Sequence, residues 1–364
     1  MTDFVAPFPY FGGKASIAPT IWQRLGAGVT NYVEPFAGSA AMLLKRPGWS
    51  PDTGWIETIN DASGFVSNFW RALQAAPDEI ARWADWPVNE NDLHARHAWL
   101  VQNHADALPA LLEGDPNYYD SQVAGWWVWG MACWIGGGFC SGNGPWQSIE
   151  DDDGQRRLVH LGDMGRGVAR QLVHLGDMGR GVARQLVHLG NMGQGVARQR
   201  VHLGDASQDK RGTGEAGLLE WMRLLSERLR RVRVCCGDWS RVCGPTPTVK
   251  QGTTAVFLDP PYSAEAGRED DIYEIDDTAV AHVCRAWSLE WGNDPRMRIA
   301  LCGYRGEHDT EMLAAGWDAL NWKAQGGYGL QGNGKGRANS MHEVVWFSPH
   351  CLNPEHILQM EMFG

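Results

Sequence analysis

The sequence predicts an α/β fold, in which helices pack against an open sheet of mostly parallel strands. The first observation is a set of short apolar runs bounded by turn formers, such as 254–258 and 343–347, which indicate buried strands. The second is a set of longer stretches with apolar residues at helical spacing, such as 276–291. Ligands of open α/β sheets bind beyond the carboxyl ends of the strands, so the residues after each run are candidate site residues.

The first strand, turn and helix are predicted between residues 32 and 44. Residues 32–40, YVEPFAGSA, predict a strand that runs into a glycine turn, and 40–44 predict the helix that follows. Gly38 permits close backbone approach, a helix N-terminus favours a carboxylate, and Phe36 offers an apolar face. These features suit an amino acid–nucleoside ligand. They do not suit a dinucleotide, because G-x-G-x-x-G is absent and the GGK at 12–14 lacks the spacing of a phosphate loop.

The next region is predicted to be mostly helical and is rich in tryptophan. The run GWWVWGMACWI occupies 125–135, and a glycine-rich stretch follows at 136–145. Its tryptophans are interpreted as packing a helical subdomain onto the sheet. Helical spacing of apolar residues predicts helices over 65–75, 80–86 and 92–112.

A 14-residue repeat follows, beginning with VHLGDMGRGVARQL at 159–172. Residues 173–186 repeat it without a change, 187–200 differ at three positions, and 201–205 begin a fourth copy. Each copy joins a loosely alternating stretch to a glycine-rich turn. This pattern predicts a β-type module of strand-plus-turn units.

The repeat region concentrates positive charge in an acidic chain. The whole chain carries −11, whereas 155–204 hold eight arginines against two aspartates, a local charge of +6 that leaves −17 elsewhere. Local basic charge sets the footprint on a polyanion, so this segment is the main candidate for phosphate contact. A structural or oligomerising module and a low-complexity insertion expanded by duplication are the alternatives. The candidate contacts are Arg166, Arg170, Arg180, Arg184, Arg198 and Arg200.

The chain after the repeat supplies the rest of the sheet. Helices are predicted over 217–233 and 276–291, strands over 232–236, 254–258, 297–304 and 343–347, and a glycine-rich loop over 326–336. Such a sheet places Glu34, Asp61, Asp238 and Asp259 at strand ends along one edge, as a single cleft requires.

The four residues after the run 254–258 carry the most specific chemistry. The lone pair of an exocyclic ring amine is delocalised, and acceptors on both of its protons free that lone pair for attack. The Asp259 carboxylate and the Pro260 carbonyl are two such acceptors, while Pro260 and Pro261 donate no N–H. Tyr262 offers a stacking face worth about 1–3 kcal/mol per base. The combination suits chemistry on adenine, and the alternative is a rigid turn after a strand.

Five segments, in their order along the chain, resemble the Dam-like class of S-adenosylmethionine-dependent DNA adenine-N6 methyltransferases. They are 7–14, 32–39, 59–61, 236–239 and 257–262. The resemblance implies a Rossmann-like methyltransferase sheet, S-adenosylmethionine as the cofactor and double-stranded DNA as the partner. It does not cover the region between residues 61 and 235, about half the chain. In the family this interval holds the part that recognises the target sequence, and the glycine-rich stretch within it is a candidate loop that approaches DNA.

The resemblance implies roles for residues of the first two segments. The amino-terminal cofactor motif, whose lysine serves the methionine carboxylate or the active-site aspartate, is matched by Tyr10, Gly12, Gly13 and Lys14. The glycine-turn motif, which cradles the methionine half of the cofactor, is matched by Glu34, Phe36, Gly38 and Ser39. One departure is that Ser39-Ala40 stands where many relatives have a second glycine, which removes backbone freedom from the turn.

The remaining segments match the ends of later strands. The resemblance implies that Asp61 accepts from the ribose hydroxyls, with a helix N-cap as the alternative role. It implies that Asp238 and Trp239 contact the cofactor's adenine, with core packing as the alternative for Trp239. The catalytic loop is matched by Asp259, Pro260, Pro261 and Tyr262.

Composition indicates an intracellular enzyme. Hydrophobic residues make up 43% of the 364 positions, enough for a packed core. The eight cysteines form no C-x-x-C pair and no leader precedes Pro7, which indicates a reduced, cytoplasmic setting. No apolar run approaches the roughly 20 residues of a membrane helix. His94 and His97 lack a further ligand in an obvious position, so no metal is expected.

The predicted function is methyl transfer to N6 of a flipped-out adenine in DNA, by direct in-line displacement. The alternatives are methyl transfer to cytosine N4 or to adenine in RNA, and a DNA-binding repeat protein with a vestigial methyltransferase half. The duplicated repeat hints at a mobile-element or phage origin, where methylation shields DNA from restriction. The recognition sequence and the oligomeric state stay open. The predicted domains are a catalytic domain at 1–75 and 215–350, a helical insert at 76–154, a repeat module at 155–210 and a tail at 351–364.

Overall fold

The computed structural model describes residues 3–10, 13–134, 139–140, 146–150, 156–160, 215–261, 279–322 and 343–353. Contacts divide these residues into two compact units. The sheet unit holds 13–61, 231–261, 279–322 and 343–353. The helical unit holds 3–10 and the described residues of 62–230.

Secondary structure covers most of the described residues. The strands are β1 (Asn31–Glu34), β2 (Ile56–Asp61), β3 (Trp146–Glu150), β4 (Arg156–His160), β5 (Val232–Cys236), β6 (Thr254–Leu258), β7 (Met297–Tyr304), β8 (Asp318–Trp322) and β9 (Glu343–Phe347). The helices are α1 (Ala18–Leu25), α2 (Ala41–Leu44), α3 (Gly64–Ala75), α4 (Pro77–Ala84), α5 (Glu90–His104), α6 (Ala107–Gly114), α7 (Ser121–Cys133), α8 (Glu215–Leu229), α9 (Val280–Trp291) and α10 (Asp309–Ala314).

A seven-stranded sheet, in the order β5-β2-β1-β6-β7-β9-β8, forms the centre of the sheet unit. The first five of these strands are mutually parallel, and β9 runs antiparallel between β7 and β8. The chain starts at the central strand β1, proceeds outward to β5 and then returns to β6 on the other side of β1. The switch point between β1 and β6 is where such sheets bind ligands. The mixed α/β fold predicted from the sequence is confirmed.

Helices cover both faces of this sheet. Alternate residues of a strand point to opposite faces. On one face, apolar residues of the central strands pack with Cys284 of α9 and Met312 of α10 in a single core cluster. On the other face, Trp22 of α1 packs against Tyr32, with ring centroids 4.9 Å apart. This double coverage explains why the central strands read as continuous apolar runs in the sequence.

Four strands of the sheet occupy the ranges predicted from the sequence, namely β5, β6, β7 and β9. The strand β8 was not predicted. Its sequence is Asp318–Trp322 (DALNW), and among the described strands it pairs with β9 alone, at the edge of the sheet. None of its side chains is fully buried. An edge strand of mixed polarity has no apolar run that would reveal it.

Helices dominate the helical unit, and aromatic rings fill its core. The Phe8 ring lies 5.2 Å from Phe69, 5.8 Å from Trp70 and 4.9 Å from Trp127, measured between centroids. A second group of rings surrounds a cation, because the Arg96 guanidinium lies within 5.0 Å of the centroids of three tryptophans, Trp86, Trp126 and Trp129. Such contacts allow a largely buried arginine to keep its charge.

The predicted helix over 92–112 is two helices in the structure. The break falls at Ala105, between α5 and α6, and Pro109 lies four residues further on. A continuous helix would need a hydrogen bond from the nitrogen of residue 109 to the carbonyl of residue 105, and proline has no N–H to donate. The start of α6 therefore accommodates Pro109 in its first turn, where that donor is not required.

The hairpin of β3 and β4 ends the described part of the helical unit before α8. The two strands pair antiparallel, with Trp146 opposite His160. Strand β4 includes only Val159 and His160 of the 14-residue repeat. The rest of the repeat module, with its six candidate arginines, lies outside the described residues, as does most of the glycine-rich stretch 136–145.

The contacts divide the chain at different positions from the predicted domain boundaries. They separate Asp61 from Ala62 and Arg230 from Arg231, whereas the sequence suggested boundaries near 75 and 215. The difference arises because α3 and α8 pack with the other helices of the helical unit. Ser226 and Arg223 of α8, for example, donate to the carbonyl of Gln74 and to Asp78.

Within the described residues, no helix is long and apolar enough to cross a membrane.

A buried ion pair lies near the amino ends of the parallel strands. Arg46, which follows α2, donates to Glu57 of β2 at 3.0 Å and to the carbonyl of Val29 at 2.7 Å. Both charged side chains are almost completely excluded from solvent. The guanidinium also stacks over Trp55, 3.7 Å from the ring centroid. The pair therefore ties the turn after α2 to the sheet.

Glu57→Gln should lower the free energy of unfolding by about 3 kcal/mol, because removing one partner of a buried pair leaves a poorly compensated charge. Urea denaturation followed by circular dichroism measures this change. Asp78→Asn is the matched control, since Asp78 pairs with Arg223 at 2.7 Å while both side chains are more than half exposed. The control should change stability little. Equal effects of the two substitutions would contradict the prediction.

Candidate active site

The carboxyl ends of β1, β2, β5 and β6 bring the predicted strand-end residues to one edge of the sheet. Glu34 and Asp61 are the last residues of β1 and β2, and Asp238 and Asp259 follow β5 and β6 closely. These four strands are parallel and adjacent, so their ends meet at the same edge. Within the sheet unit, the structure thus brings all four carboxylates to the edge at which the sequence predicted a cleft.

Asp259 is the central group of this edge. Its Oδ2 lies 2.9 Å from Nζ of Lys14, and the same Nζ lies 3.6 Å from Oε2 of Glu343. The thiol of Cys302, on the neighbouring strand β7, donates a further hydrogen bond to Asp259. Asp259 is partly exposed, with 18% of its side chain accessible, whereas Lys14 is buried. Lys14 and Cys302 therefore hold the carboxylate on its buried side, while part of it stays accessible to solvent.

Burial changes the acid–base properties of the groups behind Asp259. Burial raises the pKa of Glu343, the charge of Asp259 raises it further, and the Lys14 ammonium lowers it. Burial also raises the pKa of the Cys302 thiol, and the carboxylate of Asp259 adds to that effect. Cys302 is therefore a protonated donor to Asp259 and not a thiolate nucleophile.

Glu34 is buried at the end of β1 and closes the first turn of α2. Its Oε2 accepts hydrogen bonds from the hydroxyl of Tyr32 and the backbone N–H of Leu43, each at 3.0 Å. Met42 N–H also donates to this carboxyl. The sequence suggested that this helix N-terminus favours a ligand carboxylate. In the structure these two N–H groups donate to Glu34 instead.

The glycine turn between β1 and α2 has two residues in the left-handed region. Gly38 has φ 47° and Ala40 has φ 49°. The sequence departure at Ser39-Ala40 therefore places alanine, not serine, at the second left-handed position, where a non-glycine residue is strained. The N–H of Gly38 donates to Oδ2 of Asp61 at 2.8 Å, which fixes the turn to the end of β2. The N-cap of α3 is Ser63, so the alternative role of Asp61 as that cap is wrong.

Asn60 connects three strand ends and was not singled out by the sequence. Its amide Nδ2 donates to the carbonyl of Pro35 at 3.0 Å and to the carbonyl of Gly237 at 2.9 Å. Its backbone carbonyl accepts from Ala37 at 2.9 Å. Asn60 is buried, so these bonds hold the loops after β1 and β5 against the end of β2.

The segment after β5 combines an exposed carboxylate with a buried ring. Asp238 is exposed, and its Oδ1 accepts from the N–H of Ser240, which caps a short 3₁₀ turn. Trp239 belongs to the core cluster of the sheet unit and is 7% exposed. Its ring stacks on the partly exposed Phe36, with centroids 6.0 Å apart. The core-packing role considered for Trp239 describes this position, and its contact with the cofactor's adenine stays a prediction.

The other predicted site residues fall in three groups. Tyr10 belongs to the helical unit, where its ring contacts Phe8 at 6.2 Å. Gly13 is exposed at the start of the sheet unit, Pro260 is buried and Pro261 is partly exposed. Gly12 and Tyr262 lie outside the described residues.

Sequence reasoning missed three residues of the site: Asn60, Cys302 and Glu343. Cys302 lies in an apolar run and Glu343 begins one, so each looks like part of a strand and nothing more. For Cys302 and Glu343 the available signal was register, because β7 pairs with β6 and β9 pairs with β7. That pairing is not readable before the strand order is known.

No group of three or more histidine, cysteine, aspartate or glutamate residues suited to a metal occurs in the described part of the chain. His97 instead packs in the helical unit against Phe139, with ring centroids 4.8 Å apart. Its Nε2 accepts from the N–H of Cys140 at 3.3 Å.

The fold and the row of strand-end carboxylates define a class of α/β protein that binds its ligand at a topological switch point. Residues 10–97 match the family model of the D12 class N6 adenine-specific DNA methyltransferases. This match supports the resemblance to Dam-like enzymes over this amino-terminal part of the chain. The matched region contains Lys14, Glu34 and Asp61 and ends well before Asp259. No curated protein matches the chain.

Glu34 should make stability depend on pH. Burial raises its pKa from an ordinary value of 4.5 to about 8, so the folded state keeps a proton that the unfolded state has lost. Stability from this group is complete below pH 4.5 and is lost as pH rises to about 8. One unit of pKa difference corresponds to about 1.4 kcal/mol, so the loss is on the order of a few kcal/mol.

Glu34→Gln tests this dependence, because glutamine stays neutral at every pH. Urea denaturation at intervals between pH 5 and pH 9 should show wild type losing stability relative to the variant as pH rises. Parallel stability curves for the two proteins would mean that Glu34 titrates normally in the fold.

Proposed function

We propose that this enzyme methylates N6 of an adenine that has left the DNA duplex, with S-adenosylmethionine as methyl donor and Asp259 as the acceptor that activates the amine. The observation that carries the proposal is the setting of Asp259. It stands at the end of β6, partly exposed, while Lys14 and Cys302 hold it from the protein side. A fixed carboxylate at the switch point is what activation of a weakly nucleophilic amine requires.

The acceptor role follows from the local chemistry. The Lys14 ammonium lies 2.9 Å from Oδ2 of Asp259 and holds this carboxylate in place. An ionised carboxylate accepts more than one hydrogen bond, so Asp259 has capacity for an N6 proton beyond its protein donors. The Pro260 carbonyl is the proposed second acceptor, and Tyr262 the proposed stacking partner of the base. The eight free thiols have no covalent role in this scheme.

The residues at the strand ends suit an amino acid–nucleoside cofactor. The left-handed turn at Gly38 brings backbone close to the edge of the sheet, and Asp61 at the end of β2 is the proposed acceptor for ribose hydroxyls. Asp238 and Trp239 are the proposed contacts for the cofactor's adenine. Lys14 lies beside Asp259 and so links the proposed cofactor side of the site to the proposed substrate side. When bound, S-adenosylmethionine would supply its sulfonium methyl group for in-line displacement by N6: the N–CH3 bond forms as the S–CH3 bond breaks, S-adenosylhomocysteine leaves, and one N6 proton is released to solvent.

Access to N6 requires that the adenine leave the base stack. Extrusion of a base costs a few kcal/mol, which contacts in the site must offset. The proposed DNA contacts are the arginines of the 14-residue repeat, where positive charge concentrates in an otherwise acidic chain. The helical insert is the proposed site of sequence recognition, as the resemblance to Dam-like enzymes implies.

Incubation of purified protein with unmethylated genomic DNA and S-adenosylmethionine, followed by single-molecule mapping of N6-methyladenine, tests the function directly. Methylation within one short motif is expected of a site-specific enzyme. Methylation in nearly all sequence contexts would favour binding dominated by contacts with the DNA backbone. Methylation of cytosine, or of adenine in RNA alone, would refute the proposal.

Asp259→Asn should reduce kcat at least a hundredfold, because the carboxamide replaces one acceptor oxygen with a donor of the same size. The binding constant for S-adenosylmethionine, measured by calorimetry, should change by less than threefold. Asp318→Asn is the control, since the Asp318 carboxylate on β8 is exposed and pairs with Arg24, a largely buried side chain of α1. Full activity in Asp259→Asn would exclude Asp259 as the activating acceptor.

A further inference from the structure

Glu343 lies at the active-site edge because β9 is antiparallel to its neighbours β7 and β8. Strand β9 is antiparallel to β7, and Glu343, its first residue, lies opposite Tyr304, the last residue of β7. The start of β9 therefore lies at the edge where the parallel strands end.

The surroundings of Glu343 consist of the groups that hold Asp259. Oε2 of Glu343 lies 3.6 Å from Nζ of Lys14, whose other carboxylate partner is Asp259 at 2.9 Å. The Cys302 thiol donates to Asp259, and the charge of Asp259 raises the pKa of Glu343. Glu34 on β1 interacts electrostatically with Asp259. Lys14 and Glu343 are buried, so solvent screens these charges little.

We propose that Glu343 is a positioning residue for methyl transfer, which shares the Lys14 ammonium with Asp259 and so keeps the Asp259 carboxylate a strong acceptor for the substrate amine. This inference rests on the proposed function and assigns a role to a residue outside the motifs that suggested it. Glu343 touches neither substrate nor cofactor in this scheme and acts through Lys14.

The physical reason is competition for one cation. With Glu343 ionised, the ammonium divides its attraction between two carboxylates, and Asp259 remains a strong acceptor. With Glu343 neutral, Glu343 no longer competes for the ammonium, which then attracts Asp259 more strongly and weakens it as an acceptor for the amine. The charge on Glu343 therefore sets the strength of the acceptor.

The raised pKa of Glu343 determines how the rate of methyl transfer should change with pH. Burial and the charge of Asp259 raise the pKa of Glu343 above its ordinary 4.5, while Lys14 opposes the shift. The rate of methyl transfer should therefore rise with pH through this raised pKa, as Glu343 loses its proton. Glu343→Gln mimics the protonated form at every pH and should not show the rise.

The test measures kcat for DNA methylation and KM for S-adenosylmethionine from pH 5 to pH 9 in wild type, Glu343→Gln and Glu343→Asp. At pH 8, kcat of Glu343→Gln should be about tenfold below wild type, and KM should stay within threefold. Towards pH 5 the two rates should converge. Glu343→Asp, which keeps the charge, should keep the rise of rate with pH even if its kcat is lower.

Asp318→Asn is the matched control, since Asp318 lies at the far end of the β8–β9 pair, opposite Phe347. It should leave the pH profile unchanged. Glu343 would be a structural residue only, and the inference overturned, if Glu343→Gln lowered the melting temperature but kept the wild-type profile per folded molecule. An inactive wild type would remove the proposed function and the inference together, whereas an active wild type with an unaffected Glu343→Gln removes only the role of Glu343.

Discussion

The buried ammonium of Lys14 is the interaction on which the arrangement of the site depends. A lysine almost without solvent contact needs anionic partners, and Asp259 and Glu343 are the carboxylates within 4 Å of its nitrogen in the described residues. The three groups come from the segment before α1, the end of β6 and the start of β9. One charge thus fixes the relative positions of three parts of the chain that are far apart in sequence.

The rest of the edge is held by polar groups that satisfy one another. Asn60 joins the loops after β1 and β5, Asp61 holds the glycine turn, and Glu34 accepts from the first turn of α2. A buried polar group without a hydrogen-bond partner destabilises the fold, so the loss of any one of these bonds would lower stability. The strained left-handed conformation of Ala40 persists because the turn is fixed from both sides.

Much of the sheet was predictable because buried strands leave continuous apolar runs. Strands β6, β7 and β9 were found from such runs, and Asp259 was found because it follows one. The edge strand β8 has no apolar run, and the break at Ala105 depends on a proline four residues away. Glu343 and Cys302 could not be recognised, since their importance comes from the order of strands in the sheet, which local patterns do not encode. The arginine repeat lies outside the described residues, and its predicted contact with DNA stays a prediction.

The antiparallel direction of β9 has a consequence for the timing of assembly during synthesis. Lys14 leaves the ribosome early, Asp259 much later, and Glu343 later still. Until Glu343 has emerged, the ammonium of Lys14 lacks its second carboxylate, and β7 lacks the neighbour that covers its outer edge. The nascent chain therefore carries Lys14 and the glycine turn well before the network of charges around Asp259 is complete. The network around Lys14 closes only when β9, the last of the described strands, pairs with β7.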